Sequence, residues 1–246
     1  MEDLTQRQID ILKAIILEYS EGGDAVGSEI LEKKYKLGVS PATIRNEMVE
    51  LSKKGYLKKA HFSSGRAPSA KGFRFYISHL MKEKDLSTVD EVSYKNSVWD
   101  DRNEKHKLLS QATRVLAERS GLLSLSVTDD GDVYYAGVSN LLNTQEFLDL
   151  DLSRSFFSLL DEAPYWERIL THFLKVQEDI IYMLGEEDFK DPMFEPCASV
   201  FGEFECSNLK GIIGVVGPKR MHYDSLTPQI RYFSSLIEQL MKDQVI

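Results

Sequence analysis

Apolar residues recur at helical spacing through Ile9, Leu12, Ile16 and Tyr19, which predicts an opening helix. Thr5-Gln6-Arg7-Gln8 in front of it has the form of a capping box, and Gly22-Gly23 behind it supplies a stop. Ser28 is placed to cap a second, short helix through Tyr35, with Ile30 and Leu31 facing inward. After the tight connection Leu37-Gly38-Val39, Ser40 caps a third helix. Pro41 sits in its first turn, where a missing N–H costs nothing, and Ile44, Met48 and Leu51 point inward until Gly55 ends it. Tyr56 to Phe62 reads as a short strand. Ser63-Ser64-Gly65-Arg66-Ala67-Pro68 is turn chemistry with Arg66 at the tip, and Ser69 caps a fourth helix carrying Phe73, Tyr76, Ile77 and Leu80. The second and third helices have helix-turn-helix spacing; with the strand and the loop they predict a winged helix over residues 1–84.

Residues 85–100 are polar without a strong period and read as a linker. Asp101-Arg102-Asn103-Glu104 opens a predicted helix with Leu108, Ala112, Val115 and Leu116 inward, and Gly121 ends it. Leu122 to Thr128 alternates apolar with Ser/Thr, turns at Asp129-Asp130-Gly131-Asp132 and returns through Val133 to Gly137 as a hairpin. Helical text follows from Ser153 to Lys175, broken near Pro164. Three more strands are predicted at 180–184, 198–204 and 210–216, and Thr227-Pro228 starts a closing helix with Ile230, Phe233, Ile237 and Leu240 inward. The fold class is therefore α+β: a winged helix joined to a domain at 101–246 with an antiparallel sheet flanked by helices.

Charge changes the picture. The whole chain of 246 residues carries a net charge of −9. Yet between Lys33 and Tyr76 eleven Lys or Arg face only two acids, Glu47 and Glu50. Residues 1–84 hold 15 basic and 11 acidic residues, against 15 and 28 in the remainder. A basic segment on an acidic body is the asymmetry of a chain that meets a polyanion with one part only. On the third helix the side opposite the core presents Ala42, Thr43, Arg45 and Asn46, residue types that pair with base edges from a helix lying in the major groove. Lys53, Lys54, Lys58 and Lys59 fall where a phosphate backbone would pass, and Arg66 is placed to reach the minor groove or a phosphate. Lysine runs are usually solvated surface. The coincidence of spacing, groove-type residues and a basic wing favours DNA binding over a protein-binding adaptor.

Other chemistry finds little support. The cysteines are Cys197 and Cys206, with no CxxC, and the five histidines lack metal-site spacing. Asp129, Asp130 and Asp132 could hold a cation or act as acid and base, but Asp and Gly satisfy hairpin geometry unaided. Gly214 to Arg220 lacks Walker spacing, and no nucleophile motif is present, so neither an enzyme nor a cofactor is expected. The polar, acid-bearing start MEDLTQRQ is no secretory signal, which makes the cytoplasm the default location.

The text LTQRQIDILKAIILEY, SPATIRNEM, LSKKGYL, SSGRAPSAKGFRFY, YYAGVSNLL and GVVGPKRMHYDSLTPQI resembles the heat-inducible transcription repressor HrcA family of bacteria. The resemblance implies a repressor on an inverted-repeat operator ahead of chaperone genes, with the chaperonin GroEL supporting its active form. It implies a GAF-like second domain, and a regulator sensing a metabolite through that domain is the rival reading. The family's DNA-contacting helix falls on Ser40 to Met48, and its wing on His61 to Pro68, which adds Ser40, His61, Ser63 and Ser64 to the candidates. Family members carry an additional dimerisation domain, whereas here the chain runs almost directly from Thr113 to the hairpin at Tyr134. A homodimer is expected, formed through the GAF-like domain, the helix at 101–119 or the C-terminal helix, or formed only on DNA.

Overall fold

The structure, a computed structural model, describes residues 4–59, 65–176, 178–206 and 209–242. The chain divides into two compact units, residues 1–82 with 220–222, and residues 83–219 with 223–246.

In the first unit, α1 (Gln6–Gly22), α2 (Ser28–Lys34) and α3 (Pro41–Lys53) precede β1 (Leu57–Lys59), β2 (Arg66–Pro68) and α4 (Ala70–Phe75). Thr5 and Gln8 form the reciprocal capping box, and Gly23 closes α1 in the left-handed region at φ 76°. The buried stripe of α1 is Ile11, Leu12, Ile15 and Ile16. This is rotated from the predicted line, because Ile9 and Tyr19 flank the contact half-buried. In α2, Gly27 rather than Ser28 is the N-cap. Leu31 is buried, but Ile30 is 41% exposed, since so short a helix buries a single ridge. α3 forms as expected, with Ser40 accepting from the Thr43 N–H and Ile44, Met48 and Leu51 buried.

β1 and β2 pair antiparallel, Leu57 opposite Pro68 and Lys59 opposite Arg66. Residues 66–68 are thus strand rather than loop, and Arg66 does not sit at a tip. Its backbone also exchanges hydrogen bonds of 2.9 and 3.0 Å with Val26. A pairing distant in sequence has overridden the local turn preference. Ser69 caps α4 by accepting from the Gly72 N–H, and its own hydroxyl donates to the Gly55 carbonyl at 2.6 Å.

In the second unit the stretch read as a linker contains a capped helix, α5 (Thr88–Trp99), with Tyr94 and Val98 buried. Tyr94 stacks on Phe233 at 5.1 Å between centroids. Then come α6 (Lys105–Ser120), β3 (Leu123–Thr128), β4 (Val133–Ala136), α7 (Val138–Leu141), α8 (Leu150–Leu160) and α9 (Ala163–Phe173). β5 (Ile180–Leu184), α10 (Gly185–Phe189), β6 (Cys197–Cys206), β7 (Leu209–Pro218) and α11 (Tyr223–Lys242) complete it. Leu108, Ala112, Val115 and Leu116 of α6 are buried as predicted; its N-cap is Glu104, with no side-chain cap bond, so the proposed box does not form.

Five antiparallel strands lie in the order β4-β3-β7-β6-β5. On one face, Leu123, Leu125, Val127, Phe201 and Val216 pack with Phe156, Trp166 and Phe173 from α8 and α9. α6 and α11 pack on the other, where the small Ser124, Ser126 and Thr128 are fully buried and allow close approach. The chain is therefore mixed α+β, with an antiparallel sheet flanked by helices. α11 begins at Tyr223, ahead of the predicted start, and holds Pro228 inside it. The missing Pro228 N–H leaves the Asp224 carbonyl without its helical donor, and the Lys84 N–H donates to it instead at 2.8 Å. Among the described residues no helix is long and apolar enough to cross a membrane.

Both cysteines are buried. Burial pushes the Cys197 thiol up to about 12 and raises that of Cys206 as well. The thiolate is the reactive form, so a thiol reagent should modify the native chain no faster than it unfolds. Rapid labelling in native buffer would contradict this packing.

Candidate nucleic-acid interface

The N-terminal half of α3 is built to display side chains. Ser40 caps it, with its hydroxyl 3.3 Å from the Thr43 N–H and 3.1 Å from the Thr43 hydroxyl. Ala42, Arg45, Asn46 and Val49 then lie on one exposed face at helical spacing, and Thr43 is half-buried beside them. Among the described residues neither Arg45 nor Asn46 has a hydrogen-bonding or ionic partner, so both stand available. The acids of the segment are not. Glu47 turns toward α1, where Arg7 reaches it at 3.3 Å and Gln8 at 3.0 Å. Glu50 pairs with Lys53 at 2.8 Å. With its two carboxylates occupied, the exposed end of α3 keeps a positive field.

The basic residues differ in exposure and in their contacts. Lys53 is held by Glu50, and the Lys54 ammonium donates to Gln8 Oε1 at 3.1 Å. Lys58 and Lys59 are exposed on β1. Arg66 is half-buried on β2, its Nε donating to the Ser52 hydroxyl at 3.1 Å while Ser52 donates to the Met48 carbonyl at 2.7 Å. This ties the strand pair to α3. A cleft of about 250 Å³ lined by Gly27, Ser28, Glu29, Arg45, Met48 and Arg66 brings both arginines to one surface. His61, Ser63 and Ser64 lie outside the described residues.

Two residues escaped the sequence reading. Val49 continues the Ala42, Arg45, Asn46 spacing outward, and that spacing was the signal for it. Lys36 lines a depression with Ser40, between α2 and α3; it had counted only as charge. The hairpin carboxylates have partners of their own. Lys105 reaches Asp130 at 2.5 Å and Asp132 at 3.2 Å, and Asp129 accepts from the Lys210 N–H at 3.1 Å. The bond from Lys105 holds the Asp130 carboxyl below its usual range.

Comparison with known proteins adds a lineage. The family model for the HrcA protein C terminal domain matches residues 44–226. The heat-inducible transcription repressor HrcA of Clostridium botulinum (strain Eklund 17B / Type B) is 26% identical over 340 positions, covering 96% of this chain and 97% of that one. That of Clostridium tetani (strain Massachusetts / E88) is 24% identical over 347 positions, covering 99% and 97%. The repressor of Clostridioides difficile (strain 630) is 36% identical over 126 residues, covering 51% of this chain and 37% of its own. An alignment of 340 positions against a chain of 246 residues leaves at least 94 facing a gap here, in keeping with an absent insertion. A crystal structure of a hypothetical protein at 2.2 Å resolution superposes with a TM-score of 0.80 at 18% identity, covering 98% of this chain and all of that one, and shares the fold.

Proposed function

Because the chain belongs to the HrcA family of heat-inducible transcription repressors, a family of non-enzymes, we propose that its first unit is a winged helix-turn-helix that binds an inverted-repeat operator ahead of chaperone genes. In this reading residues 1–84 are the DNA-binding domain and residues 101–246 a GAF-like regulatory domain, with α5 between them. The observation that carries the proposal is the exposed face of Ala42, Arg45, Asn46 and Val49 at the capped end of α3, with Glu47 and Glu50 locked in other pairings. Such a face laid in a major groove offers Arg45 to guanine and Asn46 to adenine, while Ala42, Thr43 and Val49 suit a thymine methyl. Lys58 and Lys59 would meet phosphates and supply affinity without sequence information. Ser40, Lys53, Lys54, His61, Ser63, Ser64 and Arg66 complete the proposed contact set, with Lys53 and Lys54 first leaving Glu50 and Gln8. A homodimer matches the two halves of the operator, and GroEL is the proposed partner that supports the active form in the cytoplasm.

The test is fluorescence anisotropy of the chain on a labelled inverted repeat from a chaperonin promoter, beside a scrambled duplex, at two salt concentrations. The expected result is a preference of roughly a thousandfold. Affinity for both duplexes should fall with salt, at a log–log slope near −0.9 per phosphate contact. Equal binding to both duplexes, with or without added chaperonin, would sink the assignment.

A further inference from the structure

α5 has two apolar faces, and the fold uses one. Tyr94 and Val98 are buried, with Tyr94 against Tyr232 and Phe233 of α11. From α6, Gln111 donates to the Ser97 carbonyl at 3.2 Å and Arg119 to the Ser93 hydroxyl at 2.7 Å. On the opposite side Val89 is 78% exposed, Val92 53% and Trp99 40%, with Asn96 exposed between them. Their spacing is that of alternating a and d positions in a heptad repeat, with a single asparagine at an a position.

We infer that this stripe is the seam of a homodimer, in which two copies of α5 pair in parallel and in register along Val89, Val92, Asn96 and Trp99. It deepens the proposed homodimer and rests on that reading. Charge identifies the occupant and its direction. Lys95 and Asp100 occupy the g and e positions flanking the seam, and parallel pairing sets Lys95 of one copy against Asp100 of the other, twice. Antiparallel pairing of the same stripe would instead set Lys95 of one copy against Lys95 of the other. Asn96 adds a second criterion: in register it meets Asn96 of the other copy and can bond to it, whereas out of register it would be buried against valine or tryptophan. Trp99 is already fixed for such a contact, with Arg102 at 4.3 Å and Lys95 at 5.4 Å from its ring centroid and the Arg102 guanidinium donating to its carbonyl at 2.6 Å. Parallel pairing brings both copies of Thr88 to one end, close in sequence to the end of the N-terminal unit at Lys82. With three apolar side chains per copy the seam is short of a standard interface, so association is weak and depends on concentration.

The test is sedimentation equilibrium of the full chain over a wide concentration range, beside Val89→Glu/Val92→Glu. Both valines are exposed, so the substitutions leave the fold intact, which circular dichroism checks. Asn96→Cys provides an independent readout, because the buried native thiols stay out of the reaction and an in-register pair brings the new cysteines within bridging distance. The seam predicts a dimer whose association weakens by about tenfold or more in the double variant, and an Asn96→Cys chain that oxidises to a covalent dimer. A dimer unaffected by the double variant, or one that Asn96→Cys does not cross-link, would overturn the seam and leave the homodimer standing. A chain that stays monomeric at every concentration, free and on operator DNA, would overturn both.

Discussion

Replacing Arg45 by alanine is expected to collapse sequence discrimination, lowering the ratio of operator to scrambled-duplex affinity by roughly 5- to 150-fold, about 1–3 kcal/mol. The magnitude follows from what the side chain does in the free protein, which is nothing. Arg45 is exposed on α3 and bonds to no described residue, so its removal leaves no unpaired group and no cavity behind. Any loss is then a loss of contact with the nucleic acid. Asn46→Ala should behave alike at a neighbouring base pair, and Lys59→Ala should weaken both duplexes equally while leaving the ratio intact. Arg66 is the poorer probe, because its Nε bond to Ser52 ties β2 to α3, and its deletion mixes folding with binding. The measurement is anisotropy on both duplexes at one salt concentration. A ratio unchanged in Arg45→Ala would mean that the exposed face of α3 does not read bases.

How much of this was legible beforehand depended on where the controlling interaction lay. The caps at Thr5, Ser40 and Ser69 each depend on a neighbour a few residues away, and each forms as the sequence predicts. β6 and β7 were visible as apolar runs because both faces of the sheet are covered there, and β3 and β4 as alternation around a turn. What escaped was set at long range. Arg66 looked like a loop tip because nothing nearby announces its pairing with Val26, forty positions earlier by the numbering. α5 looked like a linker because its inward face holds few side chains and its apolar outward face blurs the period. Pro228 looked like a helix start because the donor that excuses it inside α11 is Lys84, far away in the chain. On the candidate site, residue types and spacing singled out Ala42, Arg45 and Asn46, and the structure places all three on one exposed face of α3. The sequence could not show that Arg7 and Gln8 draw Glu47 aside, since that depends on how α1 lies against α3.

Gly72→Ala should destabilise the N-terminal unit by about 2–3 kcal/mol, although alanine is ordinarily the better helix former by about 1 kcal/mol. The reversed sign is the diagnostic. Gly72 is buried in α4, and a Cβ there would fall on the Tyr56 carbonyl oxygen, nearer than real Cβ atoms approach. Neither side can yield cheaply. The Tyr56 carbonyl already accepts from the Ser69 N–H at 3.0 Å, and the Gly72 N–H is held by the Ser69 hydroxyl at 3.1 Å. That hydroxyl donates in turn to Gly55, which turns the chain from α3 into β1 at φ 82°. Moving α4 away would break this circuit and shift β1, which carries Lys58 and Lys59, so DNA binding should weaken on operator and scrambled duplex together. Gly121→Ala is the matched control. Its φ of 66° is unfavourable for alanine but its Cβ would meet open space, so only the backbone cost of about 1–2 kcal/mol applies. Thermal unfolding of the three chains, with limited proteolysis to report which unit opens first, separates the two costs. A Gly72→Ala chain as stable as the parent would mean that α4 and the Tyr56 backbone are not held in this close approach, and the route by which the helices position β1 would have to be redrawn.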